Sequence, residues 1–124
     1  LEYCIDLTRN NRSLDVNVAI NYGGRMEIVD AAREIARAAA AGALDLDRLD
    51  ETVFARYLYI PQHAEVDLLI RTSGEMRVSN FLLWQISYAE FQFPDVLWPD
   101  FDKQHLCDAI VAFQRRQRRF GARP

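Results

Sequence analysis

The spacing of apolar and polar positions predicts short strands separated by helices along the chain. LDVNVAI at residues 14–20 alternates apolar and polar side chains before turning fully apolar, which indicates a strand that enters a core. Residues 66–70 are a short apolar run rich in branched side chains, a pattern typical of a buried parallel strand. Residues 90–93 are predicted to form another short strand. Strands that alternate with helices predict an α/β fold with a parallel sheet flanked by helices.

The predicted helices lie between these strands, and residues that cap or break helices mark their ends. The expected helical segments are residues 1–10, residues 26–41 with Gly42 as the stop, a short helix capped by Asp47, one opened by Ser79-Asn80, and a last one capped by Asp102. The long helix is rich in alanine, and Met26, Val29, Ala32 and Ala36 are predicted to share one of its faces.

Composition and charge are those of an ordinary single domain. The 124 residues are 50% hydrophobic, which suffices to build one core. The net charge of -3 argues against nucleic acid or an anionic membrane surface as the main partner. No apolar run approaches the roughly 18 residues of a membrane-spanning helix, and no signal peptide is visible, so a cytoplasmic location is expected. Cys4 and Cys107 are expected to be buried thiols rather than a disulfide.

A dense group of polar side chains follows the predicted buried strand. Arg71, Glu75, Arg77 and Ser79 lie where a parallel sheet usually binds its ligand, beyond the carboxyl end of a strand. Two guanidinium forks and a helix start at Ser79 favour phosphate oxygens, and Gly74 allows a close backbone approach. The pattern predicts a cradle for a diphosphate with a divalent metal. The alternative is a surface loop in which Glu75 simply pairs with one of the arginines.

Two further segments have both a structural and a functional interpretation. Residues 21–25, NYGGR, are either a strand-to-helix turn in which Gly23-Gly24 supplies positive φ or a second piece of an active-site rim, and the structural interpretation is favoured. Glu90, a lone carboxylate at a strand start, is by itself most simply a solvated or paired residue.

Three blocks of sequence together resemble the cis-prenyltransferases, the family of undecaprenyl diphosphate synthase. The blocks are DLLIRTSGEMRVSNFLLWQISYAE from Asp67 with LWPDF after it, NYGGR at residues 21–25, and RRFG at residues 118–121. They follow the order of the family, and Ser73 stands where the family often has glycine. The resemblance implies an undecaprenyl diphosphate synthase-like fold, of which residues 1–124 are the C-terminal half of a single domain.

The resemblance also implies a role for individual residues. Those that would bind substrate are Arg71, Glu75, Arg77, Val78, Ser79, Arg119 and Gly121. Arg71, Arg77 and Ser79 would hold the diphosphate of isopentenyl diphosphate, while Val78 adds backbone contacts and Glu75 orients the arginines. Glu90 would be a carboxylate linked to Mg²⁺, the implied cofactor. Arg119 and Gly121, the R-x-G element, would reach across a homodimer into the partner's site.

The implied reaction is cis-prenyl chain elongation. Isopentenyl diphosphate would condense with an allylic diphosphate, farnesyl or geranyl, and release diphosphate. The family's motif H-x-x-x-I-x-D-G-N-x-R-W does not occur in this chain, so its catalytic aspartate is expected in a missing N-terminal half. We therefore expect no catalytic residue in these 124 residues and no activity from them alone. Peripheral membrane association through the lipid product is a further expectation.

Two other functions compete with this interpretation. One is a non-catalytic partner subunit of a heteromeric cis-prenyltransferase, and the other is a simple phosphate-binding module. The retention of Arg71, Arg77 and Glu90 favours the catalytic kind over the partner subunit, and the RRFG end argues against the plain module. Product length and the choice of allylic primer depend on residues outside this chain.

Overall fold

A computed structural model describes residues 2–116 of the chain. Its helices and strands are α1 (Glu2–Thr8), α2 (Gly24–Ala40), α3 (Glu51–Ala55), β1 (Leu68–Ile70), β2 (Glu90–Gln92) and α4 (Lys103–Gln114). Short 3₁₀ turns lie at Leu46–Arg48, Pro61–His63 and Trp98–Asp100. Within residues 2–116 there is no helix with the length and apolar character that crossing a bilayer requires.

The two strands pair in parallel, as the sequence predicts. Leu68 lies beside Glu90 and Ile70 lies beside Gln92, so the two strands run in step from end to end. Leu69, in the middle of β1, is buried, as the branched apolar run indicates. The prediction of an α/β fold with a parallel sheet and flanking helices is therefore confirmed.

The strand predicted over residues 14–20 does not form. The segment has no regular secondary structure, and Leu14, Val16, Val18 and Ile20 are between 64% and 75% exposed. Its backbone has no hydrogen-bond partner among the residues that the structure describes. A strand exists only when a neighbour pairs with it, and alternation along the sequence does not supply that neighbour.

Helix α2 matches its predicted limits closely but turns a different face to the core. Its buried positions are Gly24, Glu27, Ala31 and Ile35, whereas Met26 and Val29 are 56% and 44% exposed. The predicted face was wrong because a prediction from apolar positions places a charged residue such as Glu27 on the solvent side of the helix. After α2, Gly42 adopts a φ of +71°, as expected of the residue that stops a helix.

Glu27 is buried because three donors satisfy its carboxylate. It is 1% exposed and accepts hydrogen bonds from the Tyr22 hydroxyl, from the Tyr59 backbone N–H at 3.0 Å and from Gln85 Nε2 at 3.0 Å. Burial and the adjacent Glu27 carboxylate hold the pKa of Tyr22 well above its ordinary value, so the phenol remains a donor. This network joins α2 to two segments that lie 32 and 58 residues further along the chain.

The remaining helix caps test the predicted boundaries. Asp102 caps α4, accepting from the His105 N–H at 3.1 Å, as predicted. Asp50, not Asp47, caps α3, with the Val53 N–H at 2.8 Å from its side chain. Asp47 lies instead within the preceding 3₁₀ turn, because Asp45 caps that turn. Any of the nearby residues Asp45, Asp47 and Asp50 could cap a helix, and the sequence pattern does not show which one does.

The cysteine prediction was half wrong. Cys4 and Cys107 are free thiols, as expected, but both are exposed rather than buried. They lie on α1 and α4, each of which turns apolar side chains to the solvent, among them Tyr3, Ile5 and Leu106.

Replacing Glu27 tests the buried network. Glu27→Ala leaves three donors without an acceptor, and we expect it to lower the free energy of unfolding by roughly 2–4 kcal/mol. The measurement is urea unfolding of a full-length protein that contains this segment.

Glu34→Ala is the matched control for that change. Glu34 lies on the same helix, its side chain is 55% exposed, and it pairs with Arg37 across the surface. Its removal should change the unfolding free energy by no more than about 0.5 kcal/mol. Equal effects of the two substitutions would contradict the structural role given to Glu27.

Candidate functional site

The loop after β1 begins by extending the pairing of the strands. The Arg71 N–H donates to the Gln92 carbonyl at 2.9 Å, one residue beyond the end of β1. The Ser73 N–H then donates to Val96 at 2.8 Å, and the Gly74 N–H donates to Pro94 at 3.0 Å. The loop is therefore fixed along the segment that follows β2, at the carboxyl ends of both strands.

Gly74 is a glycine for two reasons that the structure shows together. Its φ is +62°, in the region that disfavours side chains. A Cβ atom there would also lie 2.5 Å from Asp95 Oδ1. The close approach expected at Gly74 is thus made to Asp95 of the neighbouring segment. Ser73 adopts a φ of +69°, a conformation that glycine accepts more readily than serine.

Arg71 closes the loop upon itself. Its Nη1 donates to the Arg77 carbonyl at 2.7 Å and to Ser79 Oγ at 2.9 Å, and its Nη2 donates to Glu75. Three of its five N–H donors are used in this way, and its side chain is 25% exposed. The guanidinium therefore organises the loop and keeps two N–H donors for a ligand.

Glu75 lies between the two arginines, as the simpler interpretation of the loop predicted. One carboxylate oxygen accepts from Arg71 and the other accepts from Arg77. The hydrogen bond from Arg71, with the positive charges of Arg77 and Arg71, holds the pKa of Glu75 below its ordinary value. Arg77 uses one N–H in this contact and its side chain is 63% exposed, so most of its donors face solvent.

The helix predicted to open at Ser79-Asn80 does not form. Ser79, Asn80 and Leu82 have φ values of +51°, +64° and +48°, which a right-handed helix excludes. Turns occupy residues 79–88 instead. The argument that a helix start at Ser79 would attract phosphate was therefore wrong. Arg71, Arg77 and Ser79 remain together as the polar group at this end of the sheet.

Gly23-Gly24 is needed for contact rather than for positive φ. Gly23 has a φ of -150°, and Gly24 is the first residue of α2. A Cβ atom on Gly24 would lie 2.9 Å from the Leu83 backbone nitrogen, so only glycine allows the helix to approach the 79–88 turn this closely. The positive φ in this segment belongs to Asn21, at +53°.

Glu90 lies at the opposite end of the strands from Arg71. It is paired with Leu68 at the amino end, roughly 10 Å along the strand direction from the loop. Its carboxylate accepts from Arg116 Nη1 at 2.5 Å, and its side chain is 24% exposed. Among the residues described, no group of three or more His, Cys, Asp or Glu side chains is placed to hold a metal.

The structure thus gathers part of the predicted site. Arg71, Glu75, Arg77 and Ser79 lie in one hydrogen-bonded loop, and Val78 lies within it. Glu90 lies apart, and Arg119 and Gly121 lie outside the described residues. Asn80, which contacts the first turn of α2, was predicted only as part of a helix start and not as a site residue. Its signal was weak, since asparagine is merely the residue that accepts positive φ most readily after glycine.

Comparison with known proteins adds independent evidence. Residues 1–121 match the family model described as "Putative undecaprenyl diphosphate synthase". The chain is 55% identical over 116 residues to the trans,polycis-polyprenyl diphosphate synthase ((2Z,6E)-farnesyl diphosphate specific) of Thermobifida fusca, covering 94% of this chain and 41% of that protein. It is 50% identical over 121 residues to the ditrans,polycis-undecaprenyl-diphosphate synthase of Francisella tularensis, covering 98% of this chain and 47% of that protein.

A solved structure supports the same assignment. Lavandulyl diphosphate synthase from Lavandula x intermedia, in complex with dimethylallyl diphosphate, superposes with a TM-score of 0.88 at 40% identity. The match covers 98% of this chain and 52% of that one, so the chain spans about half the length of the proteins it matches. Sequence and fold agree over nearly all of these residues, and the chain belongs to the undecaprenyl diphosphate synthase family of cis-prenyltransferases.

Proposed function

We propose that this chain carries the isopentenyl diphosphate half of the active site of a cis-prenyl chain-elongating synthase. The observation that supports the proposal is the loop in which Arg71, Arg77 and Ser79 converge at the carboxyl end of β1. Relatives that are 55% and 50% identical to this chain are named as polyprenyl and undecaprenyl diphosphate synthases. The allylic substrate, farnesyl or geranyl diphosphate, and the catalytic aspartate belong to the other half of the domain.

The loop is suited to a diphosphate because it keeps guanidinium donors in reserve. Arg77 has four N–H donors outside its contact with Glu75, and Arg71 has two outside its contacts in the loop. Glu75 holds the two guanidinium groups at one place, which offsets their mutual repulsion before substrate arrives. Ser79 Oγ accepts from Arg71 and keeps its own proton for a phosphate oxygen. Val78 lies between these groups and adds its backbone N–H.

Holding the acceptor in this way serves the reaction by positioning. A diphosphate fixed at Arg71 and Arg77 aims the double bond of isopentenyl diphosphate toward the allylic carbon bound by the other half of the domain. Alignment of two reactants removes much of the entropic part of the barrier. The loop makes no covalent contribution, so its effect should lie in the affinity and orientation of the acceptor.

For Mg²⁺ this chain would supply one predicted carboxylate, that of Glu90, which lies at the opposite end of the strands from Arg71. Mg²⁺ commonly takes one or two carboxylates and fills its remaining positions with phosphate oxygens and water. Glu90 would be the carboxylate on this chain, although in the structure it is occupied by Arg116. When bound, the ion would neutralise charge on the leaving diphosphate. Glu90 would have to exchange its Arg116 partner for the metal.

We also propose that the complete protein is a homodimer in which Arg119 and Gly121 complete the site of the partner. Tyr88, Leu97 and Trp98 support a protein interface, since they are 68%, 58% and 73% exposed. We further propose a cytoplasmic location for the complete protein, with peripheral membrane association through its lipid product. The competing functions are a non-catalytic partner subunit, which needs no intact diphosphate loop, and a plain phosphate-binding module, which needs no Arg119.

Substituting the two arginines tests the proposal in a full-length synthase that contains this segment. Arg71→Ala and Arg77→Ala each remove charge-assisted contacts worth about 1.5–3 kcal/mol, and we expect the KM for isopentenyl diphosphate to rise roughly 10- to 150-fold. The KM for the allylic substrate should stay unchanged. Arg71→Ala should also lower the melting temperature, because it opens the loop, whereas Arg77→Ala should leave it nearly unchanged.

Arg33→Ala is the control for a general loss of positive charge. Arg33 is 59% exposed on α2 and its ion pair among the described residues is with Asp30 across the surface, so neither KM should change. A rise in the allylic KM alone, in both loop variants, would contradict the assignment of the loop to isopentenyl diphosphate.

Mixing two full-length variants, assayed at an isopentenyl diphosphate concentration at which each is strongly impaired, tests the shared site. One carries Arg119→Ala and the other carries Arg77→Ala. If Arg119 acts across the interface, each heterodimer has one site with both defects and one intact site. Random exchange makes half of the dimers heterodimers, so activity should recover to about a quarter of that of the unchanged protein. Heterodimers that form without any recovery would show that Arg119 serves its own subunit.

A further inference from the structure

Asn80 joins the first turn of α2 to the loop that carries the arginines. The Asn80 carbonyl accepts from the Gly24 N–H at 2.8 Å, and its side-chain Oδ1 accepts from the Arg25 N–H at 2.9 Å. The bond to Arg25 spans 55 residues of sequence. One residue therefore fixes the position of the NYGGR segment relative to the diphosphate loop.

This contact replaces a helix cap that the local sequence lacks. The first N–H groups of a helix have no partner within the helix, and a side chain next to the helix start usually supplies one. Gly23 stands at that position and has no side chain to do so. Asn80 supplies two acceptors from a distant turn, and its φ of +64° is one that asparagine tolerates better than most residues.

The position of Asn80 determines that of Ser79 and therefore acts on Arg71. Ser79 also has a positive φ, +51°, so both residues belong to one tight turn. Ser79 Oγ accepts from Arg71 Nη1 at 2.9 Å. If the Asn80 contacts loosen, the turn moves away from α2, and the acceptor that orients one face of the Arg71 guanidinium moves with it.

We propose that Asn80 is a positioning residue that sets Ser79 and Arg71 for the diphosphate of isopentenyl diphosphate, with the N-terminus of α2 as its anchor. This inference rests on the proposed function of the loop. It adds that affinity for the acceptor depends on α2, a helix that supplies no side chain to the arginine loop. The NYGGR segment then acts on the site through its backbone N–H groups and through the absence of side chains at residues 23 and 24.

Asn80→Gly is the most specific test, again in a full-length synthase that contains this segment. Glycine keeps the positive φ and the backbone acceptor for Gly24, and it removes only the Oδ1 bond to Arg25. We expect the KM for isopentenyl diphosphate to rise roughly 2- to 10-fold, the effect of one lost hydrogen bond. The allylic KM and kcat at saturating substrate should stay unchanged, because only acceptor binding is weakened. Asn80→Ala should raise the KM further, since alanine disfavours this φ.

Asp50→Ala separates positioning from a general loss of stability. Asp50 caps α3 with one hydrogen bond to Val53 at 2.8 Å, so it loses a bond of the same kind away from the arginine loop. Its melting temperature should fall about as much as that of Asn80→Gly, while the KM for isopentenyl diphosphate stays unchanged. If Asp50→Ala raises that KM equally, the effect of Asn80 is one of stability alone and the inference is wrong.

Gly24→Ala disturbs the same junction from the side of the helix. Within a free helix this change would be stabilising. Here the new Cβ would meet the Leu83 nitrogen at 2.9 Å and push the turn away, so the KM for isopentenyl diphosphate should rise while Asn80 itself is intact.

Arg71→Ala, measured beside these variants, distinguishes a failure of this inference from a failure of the proposed function. If Arg71→Ala raises the KM for isopentenyl diphosphate and neither Asn80→Gly nor Gly24→Ala does, the loop binds the acceptor but does not depend on α2. If Arg71→Ala also leaves that KM unchanged, the proposed function itself is wrong.

Discussion

The loop depends on the hydrogen bonds that the Arg71 guanidinium donates within it. This guanidinium leaves the end of β1 and donates to a carbonyl, a hydroxyl and a carboxylate that lie within eight residues of it. Without it, Arg77 and Ser79 would be neighbours in sequence only. Its position is itself fixed by the backbone bond to Gln92, so the shape of the loop follows from the parallel pairing of two short strands.

Local chemistry predicted those parts of the molecule that depend on nearby residues. The apolar run before Arg71 gave β1, Asp102 gave the start of α4, and Gly42 gave the end of α2. The density of charge between Arg71 and Ser79 indicated the candidate site, and the structure gathers its members into one loop. For the helix ends and the polar loop the deciding partner lies within a few residues, which is the range that a sequence pattern reports. Strand β1 was recognised from its buried apolar run, although its partner strand begins only at Glu90.

The errors at Glu27 and Gly24 have the opposite cause, because both residues depend on partners that are distant in sequence. The buried carboxylate of Glu27 accepts hydrogen bonds from Tyr59 and Gln85, and no pattern within α2 predicts these two partners. Gly24 is a glycine because Leu83 lies against it, whereas the sequence pattern indicated that glycine was needed there for positive φ. Relatives that match this segment are named for different products, namely polyprenyl, undecaprenyl and lavandulyl diphosphates.

The exposed segment at residues 14–20 has a consequence for how this part of the domain behaves by itself. Its four apolar side chains alternate with other residues and are exposed. Its backbone N–H and C=O groups have no hydrogen-bond partner among residues 2–116. Proteins usually protect such an edge with charge, proline or a covering element, because an open edge recruits other chains. Asp15 and Asn17 are the polar side chains within that alternation. An isolated segment of this kind would be expected to self-associate through this edge unless another element covers it.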